Sequence, residues 1–409
     1  MKSNYKPIGD FIELVDVGNK DLRVDHLLGL SITKEFIPSV ANTVGTNMSN
    51  YKIIKKNQFA CSIMQVRRDK KMPVALLKDF DEAIISQAYP VFQVVNEEVL
   101  SPDYLMMWFS RAEFDRHACF LAVGGVRGSL EWDDFLEMEL PVPSIEKQRE
   151  IVKEYNTIVN RIKLNEQLSQ KLEETAQALY KHWFVDFEFP TKNGQPYKSS
   201  GGAMVYNEEL DQEIPEGWEV SGLSSIAEYL NGTAMQKYPS NDNINFTPVL
   251  KIRELNLGFT DDKSDKASLD IPEKYKIKTG DMIFSWSGTL TIDIWTGGYA
   301  GLNQHLFKVS STSFSKWFYY LSTKYSVNEF IRIAEGNKTS MGHIKREHLD
   351  SAYVAYPKHN FQHDFDNFFT PIIENLERKK IENNILLMSK SVLLSKMSKV
   401  ESLENIEVK

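Results

Sequence analysis

Two cysteines in 409 residues, Cys61 and Cys119, both among apolar neighbours, offer no disulfide framework and are expected as separate buried thiols. Long apolar runs are also missing. Tyr104–Phe109, among the longest, has six residues, whereas crossing a bilayer as a helix takes about 20. Met1–Asp10 lacks a charged-then-apolar leader pattern, so the cytoplasm is the expected compartment and no membrane partner is expected.

The motifs of common enzymes are absent as well. Gly124-Gly125-Val126-Arg127-Gly128 lacks the lysine and context of a phosphate-binding loop. No G-x-G-x-x-G follows a strand-like run, and no H-E-x-x-H, C-x-x-C or G-x-S-x-G occurs. His343, His348, His359 and His363 have no ligand spacing on one face, so no metal site is expected. The carboxylates Asp133, Asp134, Glu137 and Glu139 read as a solvated face rather than an acid–base pair. The chain is therefore expected to carry no cofactor and no catalytic residues. A net charge of −8 does not suggest binding through bulk positive charge. It leaves open contact with nucleic acid through local cation clusters.

What the sequence does contain is one pattern written twice. Pro143 is followed by Gln148 and Pro357 by Gln362, a displacement of 214 residues. After each pair, apolar residues recur at alternating steps of four and three. In the first stretch they are Ile151, Tyr155, Ile158, Ile162, Leu172 and Leu179, and in the second Phe365, Phe369, Ile372, Leu376, Leu386 and Leu393. The polar interruptions Asn165 and Ser169 return as Lys379 and Asn383 in the same frame. A heptad frame shared with its interruptions implies a duplicated unit, a domain followed by a long helix, whose two helices pack on each other. The polar rungs fix register, and the connector between the copies has room to reverse the chain, which favours antiparallel pairing.

The expected fold class is α+β: two similar mixed α/β domains separated by two long antiparallel helices forming a coiled coil, with pseudo-twofold symmetry. The divisions are 1–143, a first long helix within 144–186, a Gly/Pro/Ser/Asn-rich linker over 187–213, a second domain over 214–357, and a second long helix with a tail over 358–409. Strand-like runs are Gln58–Val66, Ala83–Val95 and Met138–Val142 in the first domain, with a helix over Pro102–Phe114. In the second they are Phe246–Ile252, Asp281–Trp286 and His305–Val309, with a helix over Phe314–Tyr325. Ile145, Leu164, Ile373 and Leu387 lie beside the seams as docking candidates for other helices, or as a widening of the seam itself.

Each domain also carries cationic or amide-bearing loops. Candidates for nucleic-acid contact in the first are Arg67, Arg68, Lys70, Lys71, Gln87, Arg127 and Ser129. In the second they are Arg253, Trp286, Ser287, Thr289, Asn303, Gln304, His305, Asn337, Lys338, Thr339, Lys345 and Arg346. Arginine pairs with guanine at two points and Asn or Gln with adenine, while Lys, Ser and Thr hold phosphates. A protein with two such sets would read two half-sites at a fixed separation.

The second domain resembles a target-recognition domain of the specificity subunits of type I restriction–modification systems. The matching residues are Ile214–Val220 (IPEGWEV), Lys278–Phe284 (KTGDMIF), Ser287–Thr289 and Leu302–His305 (LNQH). The first domain is similar through Asn57–Phe59, Arg67–Asp69 and Ile85–Phe92. Ala178–Pro190, continued by Tyr197–Gly202, resembles the family's central connector, and Pro141–Pro143 with Glu146–Gln148 its helix opening. Tyr356–Gln362 lacks the usual Pro-x-Pro and acidic residue, and the first domain lacks the Pro-x-Gly-Trp opening. The resemblance implies a non-catalytic subunit that reads a bipartite sequence in double-stranded DNA. It implies two adenine methyltransferase subunits and restriction–translocase subunits as partners, with S-adenosylmethionine, ATP and Mg on those partners. A coiled-coil adaptor without DNA binding, and an enzyme acting on nucleic acid, are the competing readings.

Overall fold

Phe59–Cys61 is apolar at every position and Val91–Val94 at three of four, as expected of strands covered on both faces. In the computed structural model, which describes residues 5–39, 46–123, 128–240, 242, 244–336, 343–358 and 362–397, they lie side by side. The chain divides into two units, 1–160 with 388–409, and 161–387.

The main sheet of the first unit is antiparallel, in the order Ile12–Val15, Val91–Val94, Phe59–Cys61, Val74–Leu76. Side chains alternate across it. Phe59, Cys61 and Phe92 enter the main core with Phe109 and Phe135, and Ala60 and Val91 enter a smaller core with Ile54 and Ile85. Phe59 and Phe92 stack with ring centres 5.0 Å apart. Cys61 and Cys119 are both free thiols; burial pushes the Cys61 thiol upward, whereas Cys119, also expected to be buried, is only half-buried.

The second unit repeats this plan. Its antiparallel sheet runs Glu228–Asn231, Leu306–Ser310, Met282–Ser285, Thr291–Ile294. Numbered along the chain, the strands of both sheets lie in the order 1-4-2-3. Adding 214 to Pro102, Trp132 and Glu139 gives Lys316, Arg346 and Tyr353, the first residues of the helices Lys316–Gly336 and Arg346–Asp350 and of the strand Tyr353–Pro357. In each unit the strand leading to the long helix pairs with the opening strand: Glu139–Pro141 with Tyr5–Pro7, and Tyr353–Pro357 with Trp218–Gly222. The second unit adds a mixed sheet of Lys266–Ala267, Thr247–Leu250, Ala300–Leu302 and Lys276–Ile277.

Four local expectations change, the first being the strand over Gln58–Val66, which is limited to Phe59–Cys61 while Val66 opens a short helix. The helix expected over Pro102–Phe114 is two helices, Pro102–Phe109 and Ala112–Leu121, because Arg111 adopts an extended backbone. The run Ala83–Val95 is two strands, Glu82–Ile85 and Val91–Val94, parted by a turn that ends at Pro90, which has no N–H to give a ladder. The helix expected over Phe314–Tyr325 continues to Gly336.

The long helices span Ile145–Tyr180, closed by a wide π turn over Lys181–Val185, and Gln362–Lys396. Ile151, Ile162, Phe365, Phe369 and Leu376 are buried, and Tyr155, Ile158, Leu172, Leu179, Ile372, Leu386 and Leu393 are half-buried. In the second unit the helices run antiparallel: the Asn165 amide donates to Asn383 Oδ1 at 2.9 Å, Arg161 Nε lies 2.6 Å from Glu382, and the Trp183 ring meets Phe365. In the first unit the Lys390 ammonium lies over the Tyr155 ring, and Ile151 shares a core with Leu394 and Met397. A buried Asn–Asn rung lowers stability but penalises any slipped register. Of the docking candidates, Leu164 is 54% and Leu387 37% exposed, and Ile145 is half-buried. Ile373 is not available: only 2% exposed, it belongs to the core of the second unit, where it widens the seam.

The stretch 187–213, expected as a linker, is packed. Tyr197 stacks on Phe189 at 4.6 Å and Phe189 on Trp218 at 5.1 Å, Phe187 is buried, and Met204–Asn207 pairs with Gln212–Pro215 as a hairpin. Its aromatic residues outweigh its turn-forming composition.

Gln148 explains one half of the repeated proline–glutamine pair. Fully buried, its Nε2 donates to the carbonyls of Pro143 and Val99 at 2.9 Å each, and its Oε1 accepts from Ser101 N–H at 2.9 Å. The amide thus ties the helix opening to the segment before Pro102–Phe109. Leaving these buried groups unpaired in Gln148→Ala is expected to cost roughly 2–3 kcal/mol. That corresponds to a fall of roughly 5–10 °C in melting temperature. A thermal melt with a shift under a degree or so would remove this role.

Candidate nucleic-acid interface

In both units the chain leaves the second strand of the sheet through a tight turn. The Leu130 N–H donates to the Ile63 carbonyl, and the Ile344 N–H to the Trp286 carbonyl. Since 130 plus 214 is 344, Ile63 and Trp286 occupy the same place. Two residues on, Gln65 (φ 65°) and Gly288 (φ 67°) both take the left-handed conformation. It is free for glycine and costs a side-chain-bearing residue on the order of 1 kcal/mol or more.

In the first unit this turn opens the short helix Val66–Asp69, with Gln65 and Lys70 left-handed at its ends. Arg67, Arg68, Lys70 and Lys71 are all exposed. Arg68 pairs with Asp69 at 2.8 Å in water, a link of about 0–1 kcal/mol that a phosphate can replace. The Arg67 N–H donates to the Gly128 carbonyl at 3.1 Å. Gly128 has φ +65°, and a Cβ there would overlap the Arg67 side chain, so the close approach requires glycine. Ser129 is half-buried, and Arg127 lies outside the described residues.

In the second unit the turn carries Trp286–Thr289. The Trp286 indole donates to Asn231 Oδ1 at 3.2 Å. Ser287 Oγ lies 3.1 Å from His305 Nδ1, and Asn303 Oδ1 accepts from the His305 N–H at 3.3 Å. Ser287 and Asn303 are 7% and 5% exposed; their polar atoms hold His305 rather than face solvent. Gln304 is exposed, with Nε2 3.3 Å from His305 Nε2, and Thr289 is exposed. The facing chain comes close at Gly232, where a Cβ would overlap the Asn303 carbonyl.

Gln87 and Gln304 correspond. Cys61 faces Pro90 and Phe284 faces Phe307, so each glutamine stands three residues before its facing residue, in an exposed turn.

Arg253 is exposed but already engaged by carboxylates. It bonds Glu254 at 2.7 Å and grips Asp261 with both terminal nitrogens. These bonds raise the guanidinium pKa and lower that of Asp261. Arg346 Nη2 donates to the Tyr229 carbonyl at 3.1 Å, and Lys345 pairs with Glu347 at 3.1 Å. Arg346 also lines a polar cleft of about 460 Å³ with Ser224, Ser311 and Asp350. Asn337, Lys338 and Thr339 lie outside the described residues. Sequence reasoning missed Asn231, the indole's acceptor, since 55 residues separate the two and no motif marks it.

Two stretches of the chain, 6–174 and 215–387, match the profile of the type I restriction modification DNA specificity domain. The chain belongs to this family. It is 25% identical over 314 residues to the type I restriction enzyme MjaIX specificity subunit of Methanocaldococcus jannaschii, covering 74% of this chain and 70% of that one. It is 22% identical over 405 residues to the HindI specificity subunit of Haemophilus influenzae, covering 85% and 86%. The fold is similar to the crystal structure of a type I restriction–modification S subunit from M. genitalium, with a TM-score of 0.52 at 14% identity and coverage of 96% and 95%. Within the family fold, the turns at Gln65 and Gly288 are the same element in two copies. No helix among the described residues is long and apolar enough to cross a membrane.

Proposed function

We propose that this chain reads a bipartite sequence in double-stranded DNA, one half with each domain, as the specificity subunit of a type I restriction–modification complex. The observation that carries this is the doubled sheet. Two copies of one strand order present an exposed polar turn at the same place, with a cation row on one copy and Trp286, Thr289 and Gln304 near the other. Arg67, Arg68, Lys70 and Lys71 hold phosphates; Gln87 and Gln304 read bases. Two methyltransferase subunits match two copies of the domain-plus-helix unit. They and the restriction subunits bring S-adenosylmethionine, ATP and Mg, and the purified chain alone turns over none of these. An adaptor without DNA binding would have no use for paired polar turns.

The test is a genome-wide map of methylated adenines in cells with and without the gene. Loss of one bipartite motif on deletion is expected, and an unchanged map would end the proposal. Within that motif, Gln304→Ala should relax one position of one half-site. A bidentate amide–adenine contact contributes about 1–3 kcal/mol, or roughly 5–150-fold discrimination. Gln87→Ala should do the same in the other half, and relaxation of both halves by either variant would contradict the assignment.

A further inference from the structure

Within the second unit, polar links join the recognition domain to its share of the long helices. Glu173, on the first helix, accepts from Tyr320 Oη at 2.6 Å and pairs with Lys324. Lys380, on the second helix, pairs with Asp293 at the end of the sheet. One turn further, the Asn384 amide donates to the Gly258 carbonyl at 3.0 Å and to Thr296 Oγ1 at 3.1 Å. Burial alone would raise the Glu173 carboxyl, yet Lys324 and Tyr320 outweigh it and hold the group below the ordinary carboxylate range.

The first unit is joined differently: its polar links, Gln148 to Val99 and Ser101 and Arg149 to Glu98, sit at the opening of its helix. Subtracting 214 from Tyr320 and Lys324 gives Met106 and Ser110, which cannot form these ion pairs. An apolar contact resists separation but is non-directional and tolerates small slides, whereas charge-assisted hydrogen bonds hold only at one distance and angle. The joint of the second domain therefore carries a geometric specification that the core beneath it does not.

We propose that Glu173, Lys380 and Asn384 are positioning residues for the distance between half-sites: they hold the second domain at one setting on the helices, so that only one spacer length is accepted. This rests on the bipartite reading above. All three side chains are engaged within the second unit itself, so half-site sequences are not theirs to change.

The experiment maps methylated adenines in cells expressing the whole complex with E173Q, K380M, N384A or the E173Q/N384A pair, using K380R as the conservative control. Both half-sequences should stay unchanged. The share of methylation at spacers one base pair longer or shorter should rise about tenfold, the scale of one or two charge-assisted hydrogen bonds. K380R should restore the native strictness. Unchanged spacer strictness in every substituted chain overturns the proposal, as does an equal loss at all spacers with a normal melting temperature. E173Q is nearly isosteric, so a folding failure of the larger changes leaves it decisive. A wild-type map showing an uninterrupted target would instead refute the bipartite reading.

Discussion

Exchanging residues Pro215–Tyr356 for the matching segment of another family member is expected to replace one half of the methylated motif and leave the other untouched. The cut points lie just outside Trp218–Gly222 and within Tyr353–Pro357, which pair with each other and so travel together. The domain is not independent of its seat, however. Ala176, Tyr180, Trp183, Phe365 and Phe369 share its main core, and Glu173 binds Tyr320 and Lys324. A graft that keeps Trp317, Tyr320 and Lys324 should therefore assemble, while one that discards them leaves Glu173 as a partly buried charge without partners, at a cost of several kcal/mol. Methylation mapping reads the result directly. A change in both half-sequences would show that the domains do not read independently.

Inserting one heptad into each long helix, after Asn160 in the first and after Leu387 in the second, is expected to lengthen the spacer with both half-sequences kept. These are the points where each helix passes from one unit's residues to the other's. Seven residues preserve the seam frame, and at about 1.5 Å per residue they add roughly 10 Å. At about 3.4 Å per base pair the preferred spacer should grow by about three base pairs. Insertion after Leu179 is a poorer choice, because it would pull Tyr180 and Trp183 from the core they fill. A complex that assembles with doubly lengthened helices and an unchanged spacer would show that the helices do not set the distance.

Both expectations rest on features of different legibility. The seam could be read in advance, because burial along a helix repeats every three or four residues and therefore leaves a periodic trace. Every seam residue from Ile151 to Leu393 is buried or half-buried. Ile373 was harder to place, since a residue beside the seam is exposed or buried according to what packs over it, and here the second domain does. The polar candidates divide in the same way. Gln87 and Gln304 are exposed turn residues, as turn composition implies, and Arg67, Arg68, Lys70 and Lys71 are exposed on and just after a one-turn helix. Arg253, Ser287 and Asn303 have the same chemistry, but Asp261, Glu254 and His305 engage them.

The sequence by itself determined the duplication, the helix frame and the family, because each is written in spacing or in contiguous residues. Only the tertiary structure decided which polar groups remain available to a ligand and how the second domain is fastened. Glu173 and Lys324 lie 151 residues apart, and Gln148 and Val99 49. Whether such side chains meet depends on the path of the folded chain between them, which local propensity does not encode. A buried polar group finds a partner wherever that path brings one.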